Sequence, residues 1–549
     1  MNRSWYSTFI ARSLAQLGWI AALSLTGCCL LPGPDGDNGS NGDNGSNGDS
    51  DENDPPPQSL SLQAIVQSGD AVPGQTDATF TYFGNPVIDD GGRVAFYAAY
   101  TGGKGKGGLY VWQAGTLQRI YDTDPDATGV VPGLDADAYF GGFTIRWDGG
   151  APHLAWGNNG RLLYAANVNG NPQANTLFRW RARDGDVFPA ANAEKLQAIT
   201  PDATDDFLPE CYHPGVSNAG LAIYASRYSY FRNDGTFSLF NRGIFTTDGL
   251  TTEQIAVGAV PGQPSGTTFS TTPVFLTAHN AAGEFLFQAG YESGEGDRGV
   301  YLLRDGETLR VIDNAAGRAF PGLPSGAQVG GAAQDFEALA IGEDGEIAIK
   351  TMLTVGGETR DAVLLWRGAQ WYVLQSPGGV YASDLLTGVS DDGQTVYLDD
   401  GEPYLGDGED TFALADPPPA ELTGVAFDWE PFGGALNDHG RVLLRYRRTD
   451  ATEALGLAFW SGARWFAVID GTEANVLDTI DAIFPLEQRE AAALDRVGTI
   501  AARPESNRPG LSGMLNNQGE FVFRVGSLGA DGAENTADDE QAIFFGQAQ

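Results

Sequence analysis

One short pattern recurs along the chain and constrains what it can fold into. A turn residue is followed by two more residues, a glycine, and an alternating apolar strand. The copies are DDGGRVAF at 89–96, GNNGRLLY at 157–164, SNAGLAIY at 217–224, NAAGEFLF at 280–287, GEDGEIAI at 342–349, SDDGQTVY at 390–397, NDHGRVLL at 437–444, DRVGTIAA at 495–502 and NNQGEFVF at 516–523. Their glycines, from Gly92 to Gly519, are spaced by 68, 60, 63, 62, 48, 47, 58 and 21 residues. Asn, Asp or Ser with a following Gly makes a tight turn in which the glycine takes positive φ. In the strand that follows, Val94 and Phe96 share one face while Ala95 lies on the other, and Phe285, Phe287 and Leu286 repeat the arrangement. Both faces are apolar, so such a strand is buried on both sides. A sheet stacked between two like sheets meets that condition, whereas a two-layer sandwich leaves one face polar.

The rest of each repeat supplies three more strands. A third strand reads GLYVW at 108–112, TLFRW at 176–180, GIFTT at 243–247, GVYLL at 299–303, AVLLW at 362–366 and GLAFW at 456–460. A fourth follows a short turn, as in LQRIYD at 117–122, LRVID at 309–313 and WFAVID at 465–470. A first precedes the glycine turn, as in NPVID at 85–89 and TPVFL at 273–277. Four antiparallel strands in about 60 residues, repeated around a ring, make an all-β, closed β-propeller. The chain ends on one apolar strand, AIFF at 542–545, in the position of a third strand. LQAIV at 62–66 stands before the first complete repeat and is read as the fourth strand of the last blade, which closes the ring and removes an exposed edge. The short final interval leaves seven or eight blades, of which eight is preferred. An open solenoid is the rival architecture.

In these turns the chain resembles uncharacterised secreted bacterial proteins with tandem N-x-x-G-x-x-x-F repeats, although several copies replace the final Phe with Tyr, Ile, Leu or Ala. The resemblance implies an extracellular repeat domain with a variable anchor. It brings no catalytic residues.

The first 58 residues give an address. Arg3 and Arg12 precede an apolar run, SLAQLGWIAALSL at 13–25, too short to span a bilayer. This is a secretory signal sequence. Leu25-Thr26-Gly27-Cys28 resembles the lipobox of bacterial lipoproteins, which implies cleavage before Cys28 and acylation of that residue. Several acyl chains hold a membrane stably where one does not. Cys29 stands where an Asp would retain an enterobacterial lipoprotein in the inner membrane, which favours the outer membrane or cell surface. Pro32 to Gln58 contains the tandem DNGSNG-DNGSNG and nothing able to join a core, so it reads as a flexible tether. The organisation expected is therefore signal peptide at 1–27, lipidated Cys28 and acidic tether at 28–58, and propeller at 59–549.

Composition removes several classes. Lys and Arg total 32 against 71 Asp and Glu, a net charge of −39. Residues 1–27 hold two of the arginines and residues 28–58 seven of the acids, so the body from residue 59 carries a net −34. A nucleic-acid partner is excluded by this field, and any anionic polymer is disfavoured. Three cysteines cannot staple a disulfide scaffold. Seventy-five glycines and 29 prolines are incompatible with a helical bundle.

Candidate chemistry lies in the longer connections, which join strands two to three and each fourth strand to the next blade and share one rim of the ring. These are segments 123–142, 200–215, 226–243 and 260–272. Tyr139, Phe140, Tyr212, Tyr228, Tyr230 and Phe231 are the ligand-rim candidates, since rings beside carboxylates suit sugar stacking or protein recognition. The alternative is that they pack the loops. His153, His213, His279 and His439 have no paired metal spacing, and the last two fall at or beside repeat turns, where a structural role is expected. Cys211 is a lone thiol, and no nucleophile elbow or phosphate-binding loop is present. SDDGQT at 390–395 approaches the Asp-box of sialidase-like propellers but is one residue short before the glycine and lacks the Trp. The acidic loop at 529–540 resembles the G-x-D-G-x-x-x-T-A-D-D loops of secreted bacterial proteins. Its Asp531, Asp538, Asp539 and Glu540 are candidate Ca²⁺ ligands, and no other cofactor is implied. The reading is a lipid-anchored envelope protein whose propeller is a non-enzymatic binding or scaffold module for a protein or glycan. The alternative is a propeller enzyme acting on extracellular glycans.

Overall fold

The computed structural model describes residues 59–124, 140–142, 154–157, 160–168, 175–183, 187–191, 208–231, 237–248, 250–255, 258–280, 282–330, 336–376, 379, 381–382, 384–414, 426–429, 434–449, 455–470, 497–501, 514–527 and 541–548. Their strands form eight antiparallel sheets of four or five strands, the blades of an eight-bladed β-propeller. Blade 1 is typical. Thr79–Phe83 and Val87–Ile88 together make strand one, followed by Val94–Thr101, Gly107–Gln113 and Thr116–Asp122. Strand one is likewise in two pieces in blade 2 (Phe140–Gly142, Leu154–Gly157), blade 5 (Gln328–Val329, Phe336–Ile341) and blade 7 (Phe427–Trp429, Ala435–Leu436). Strand-one segments of neighbouring blades touch one another from blade 1 through blade 7, which makes them the innermost layer. An inner edge strand tolerates interruption, because only one of its sides joins the ladder.

The repeat turn has one geometry throughout. In blade 1 the Gly92 amide donates to the Asp89 carbonyl at 3.0 Å, and the Asp89 amide donates to the Arg93 carbonyl at 3.1 Å. This is a type I turn closed by a left-handed residue, and Gly92 has φ +69°. The same pair of bonds recurs in the turns at Gly220, Gly283, Gly345, Gly393, Gly440 and Gly519. Gly498 does not belong to the set. It lies within Val497–Ala501, which pairs with Glu520–Ser527 as strand one of blade 8. That placement removes the ambiguity left by the 21-residue interval and fixes the count at eight.

A second reason for these glycines appears only in three dimensions. The side chain just after each turn glycine, or in blade 3 the first turn residue, lies over the turn glycine of the next blade. Arg93 covers Gly160, Arg161 covers Gly220 and Ser217 covers Gly283. Glu284 covers Gly345, Glu346 covers Gly393 and Gln394 reaches Gly440. Arg441 covers Gly519, and Glu520 of blade 8 returns to Gly92 of blade 1. A methyl group on Gly160 would stand 2.7 Å from Nη2 of Arg93, well inside contact distance.

Asparagine at the first turn position adds a directional latch. The Nδ2 of Asn280, Asn437 and Asn516 donates to the carbonyls of Gly342, Asn516 and Asp89, each in the following blade, at 2.9, 3.0 and 2.9 Å. The Oδ1 of each accepts the amide four residues on, from Glu284, Arg441 and Glu520. The Asn side chain carries a carbonyl acceptor and an NH2 donor at separate atoms, so it caps its own turn with one and bonds the next blade with the other.

Closure is as expected. Leu60–Gln67 pairs antiparallel with Gln541–Ala548, with Leu60 opposite Ala548 and Gln67 opposite Ala542. The N-terminal strand is therefore the outer strand of blade 8. At the same seam the Phe83 amide donates to Oε1 of Gln541 at 3.0 Å, and Arg524 donates to the Phe83 carbonyl. Apolar clusters fill the seams between blades. Val94, Phe96 and Tyr110 pack with Val522 and Ile543 of blade 8, while Ala95, Tyr97 and Leu109 pack with Leu162, Tyr164 and Phe178 of blade 2. The second and third strands, such as Val94–Thr101 and Gly107–Gln113, are thus buried on both faces, and a fully buried Phe or Leu contributes ~2–3 kcal/mol.

Candidate functional site

The second residue of the repeat turn brings charge together. Around the ring this position reads Asp90, Asn158, Asn218, Ala281, Glu343, Asp391, Asp438 and Asn517, of which 158 and 281 lie outside the described residues. The turns follow the innermost strand, so they stand nearest the ring axis. Asp438 of blade 7 interacts electrostatically with Glu343 of blade 5 and Asp90 of blade 1, two blades away on either side. Only side chains gathered at the mouth of the ring can do this.

Burial is the largest cause pushing the Asp438 carboxyl up, to about 7, and the charges of Asp391, Glu343 and Asp90 act in the same direction. Asn517 opposes them with a hydrogen bond. Asp391 is also raised, first by burial and then by Asp344, against the pull of His439. Asn517 organises the pair beside it. Its Nδ2 donates to Oδ2 of Asp438 and, at 3.4 Å, to Oδ2 of Asp90, while its backbone amide donates to Oδ1 of Asp90 at 3.0 Å. Two carboxyl groups therefore share one amide nitrogen, and one of the two retains a proton near neutral pH. A proton donor beside carboxylate acceptors can hydrogen-bond a hydroxyl-rich ligand and is the arrangement acid–base cleavage requires. Among the described residues, no three His, Cys, Asp or Glu side chains are placed to hold a metal ion.

The opposite rim carries buried polar cages. In blade 1, Gln75 donates to Oδ2 of Asp122 at 3.0 Å and to Tyr100, whose hydroxyl donates to Oδ1 of Asp122, and Arg119 completes an ion pair with Asp122 at 3.2 Å. In blade 4, Gln263 donates to Tyr291 and to Asp313 at 3.0 Å each, and Arg318 pairs with Asp313 at 3.0 Å. Burial raises Asp313 to about 6. Both cages tie a blade-to-blade connection to the strand two–three turn. Both carry the same tetrapeptide, Val72-Pro73-Gly74-Gln75 and Val260-Pro261-Gly262-Gln263, a repeat that the glycine-turn pattern overshadows.

The residues singled out from the sequence fall in several places. Phe140 is buried, stacked on Tyr121 at 4.3 Å and edge-on to Phe178, so its ring packs the blade 1–2 seam. Tyr212 lies in strand Leu208–Val216, opposite Ala225. Tyr228, Tyr230 and Phe231 lie in strand Ala222–Phe231, opposite Asn241, Ser238 and Phe237 of strand Phe237–Thr247. Segment 226–243, expected as a rim loop, is therefore mostly a hairpin of extended strands. In the same way, 268–272 belongs to strand Thr268–His279. His279 is mostly buried against Gly215 of the preceding blade, and burial lowers its imidazole to about 4. Tyr139, Cys28 and the Ca²⁺ candidates Asp531, Asp538, Asp539 and Glu540 lie outside the described residues. The sequence reading passed over the acidic mouth. Its signal was the second column of the repeat, which is acidic in four of eight copies.

Residues 56–193 match a family of unknown function (DUF7453). No curated protein matches the sequence. Among solved structures, the chain is similar to a puromycin-hydrolysing peptidase of Mycobacterium tuberculosis at 10% identity and a TM-score of 0.36, covering 85% of this chain. The match spans 61% of the peptidase. A polysaccharide lyase, an ulvan lyase of family PL25, matches at 11% identity and a TM-score of 0.30, with 77% of this chain and 99% of the lyase covered. A fucose-recognising lectin of Aleuria aurantia, a six-bladed β-propeller, matches at 10% identity and a TM-score of 0.22, over 58% of this chain and 93% of the lectin.

Proposed function

We propose that the protein acts on extracellular glycans at the acidic mouth of its propeller. The observation that supports this is the Asp438–Asn517–Asp90 arrangement, a carboxyl that keeps its proton to about pH 7 held beside a second carboxylate. In this reading Asp438 donates its proton to the glycosidic oxygen as the bond to the anomeric carbon breaks, and a facing carboxylate takes a proton from the water that forms the new bond to that carbon. In the same reading the protein works outside the cytoplasm on a lipid anchor at Cys28, a proposal that the resemblance of residues 25–28 to the bacterial lipobox supports. The Asp531–Glu540 loop is a separate calcium proposal, tested by whether calcium raises the melting temperature.

A glycan array combined with product analysis tests the reading. Wild-type protein is expected to bind and cleave glycans, with a rate that falls as pH rises through about 7 because the acid loses its proton. Asp438→Asn is expected to keep the fold and lose at least a hundredfold in rate, within the usual worth of a general acid, ~10²–10⁴. Binding without products, unchanged by Asp438→Asn, would instead support the non-enzymatic binding or scaffold role. Neither binding nor products would remove the mouth as a site.

A further inference from the structure

Strand three of each blade carries one side chain directly across the ladder from the eighth residue of the repeat pattern. It is Phe178 in blade 2, Phe245 in blade 3 and Phe544 in blade 8, opposite Tyr164, Tyr224 and Phe523. In blades 5 and 7 it is Leu364 and Ala458, and in blade 6 the half-buried Tyr404. A fully buried tyrosine stands there in blades 1 and 4 alone, as Tyr110 and Tyr301. These are the two blades that carry the polar cages. The correspondence extends along the chain, since Tyr100 to Tyr110 and Tyr291 to Tyr301 share the spacing Y-x-x-G-x-G-x-x-G-x-Y.

Each of the two rings is fixed. Tyr110 lies edge-on to Phe80 at 5.0 Å and stacks on Phe96 at 6.0 Å, and Tyr301 lies edge-on to Phe269 at 5.0 Å and stacks on Phe287 at 5.7 Å. The hydroxyls are thereby set over glycines. A Cβ on Gly108 would stand 3.3 Å from the Tyr110 hydroxyl, and one on Gly299 3.0 Å from that of Tyr301. Gly108 and Gly299 face Asp122 and Asp313, the central carboxylates of the cages, across the ladder. Burial raises the pKa of both phenols, and the charges of Asp122 on Tyr110 and of Tyr291 and Asp313 on Tyr301 add to it. Neither hydroxyl has a hydrogen-bond partner among the described residues. Enclosing a hydroxyl without a partner is costly, and phenylalanine fills the same place in three other blades. At this ladder position the buried hydroxyl occurs twice, each time beside a cage, so it serves the cage through a third body.

We propose that each cage binds one water molecule, which bridges the Tyr110 hydroxyl to the cage of Asp122 and the Tyr301 hydroxyl to the cage of Asp313. Water donates and accepts at once, and an enclosed water makes about three hydrogen bonds of this kind. The ligand is neutral, because arginine already pairs with each carboxylate, Arg119 with Asp122 at 3.2 Å and Arg318 with Asp313 at 3.0 Å. Bound there, the water ties strand three to the V-P-G-Q connection between blades, whose Gln75 or Gln263 donates to the same carboxylate. The two sites lie on the opposite rim from the acidic mouth and do not rest on the reaction proposed there.

A crystal structure of the full chain, at a resolution that shows ordered water, and thermal melts of Tyr110→Phe and Tyr301→Phe test it. One water is expected within about 3.2 Å of each hydroxyl. Each variant is expected to melt about 1–2 °C below wild type, because its water loses a partner. Removing a hydroxyl that bonds nothing would instead leave the melting temperature unchanged or raise it. Melts of wild type in sodium, potassium and choline chloride at equal ionic strength separate water from a bound cation, and water predicts the same melting temperature in all three. A rise with one alkali cation that both variants lose would assign the sites to that cation and overturn the proposal. Hydroxyls bonded directly to protein atoms, or variants that melt at or above wild type, would overturn it as well.

Discussion

At the residue scale, the repeat glycine answers to two demands that can be separated. Gly115, in a strand three–four turn, has φ +83° and open space around its missing side chain. Gly160 has φ +73° and the Arg93 guanidinium where a methyl would go. Gly115→Ala therefore carries only the left-handed backbone cost, ~1–2 kcal/mol. Gly160→Ala carries that cost and must also displace Arg93 from its ion pair with Asp89 and its place over Trp156, so it is expected to lose about 1 kcal/mol more by denaturant unfolding. The first turn residue is testable in the same way. Asn516 donates at 2.9 Å to Asp89 across the closing seam and at 2.8 Å to Glu520, and accepts from the amides of Gln518 and Glu520. Asn516→Asp keeps the acceptor and loses the donor, and is expected to cost about 1–3 kcal/mol at this buried site. The positive φ of the glycine was readable from the turn chemistry. The contact with the next blade was not, because the residues that meet stand 46 to 78 positions apart, and 428 at the closing seam, and nothing local links them.

At the element scale, alternation on both faces was enough to argue stacked four-stranded sheets, and a spare strand at the N-terminus was enough to argue closure. Two features escaped. Interruptions in strand one left short pieces such as Val87–Ile88 and Ala435–Leu436, too brief to carry a period of two. The polar, aromatic alternation of 226–243 resembled loop composition, yet it forms an extended hairpin, because pairing with a partner strand overrides weak local preference. Closure makes a direct prediction. Deleting residues 59–67 strips the outer strand from blade 8 and exposes the edge of Gln541–Ala548. The melting temperature is expected to fall by several degrees, and size-exclusion chromatography is expected to show association through the unpaired edge. An unchanged melt and a monomeric profile would mean that the strand is dispensable to the ring.

At the scale of the whole molecule, the acidity of the body and the convergence of its turns together set the response to pH. Asp438 titrates near 7 and Asp313 near 6 in the folded protein, against about 3.8 for an ordinary Asp. Between those values the folded chain holds protons that the unfolded chain has released. The two carboxyls therefore favour the fold fully below about pH 4, and that contribution is lost as pH rises through 6 and then 7. His279 acts in the opposite sense. Its folded value near 4 lies below the ordinary 6.5, so the unfolded chain takes up a proton the fold refuses, and stability falls as pH drops from 6.5 toward 4. Two groups oppose one, and protonation also relieves the self-repulsion of a chain at −39. Melts from pH 8 to pH 4 are therefore expected to rise toward a maximum in the mildly acidic range and then level or fall. Asp438→Asn should flatten the rise between pH 8 and 6, while His279→Gln should extend it below pH 6. A melting temperature that declines steadily from pH 8 downward in wild type, with neither variant altering the slope, would mean that these groups do not govern the fold's proton balance.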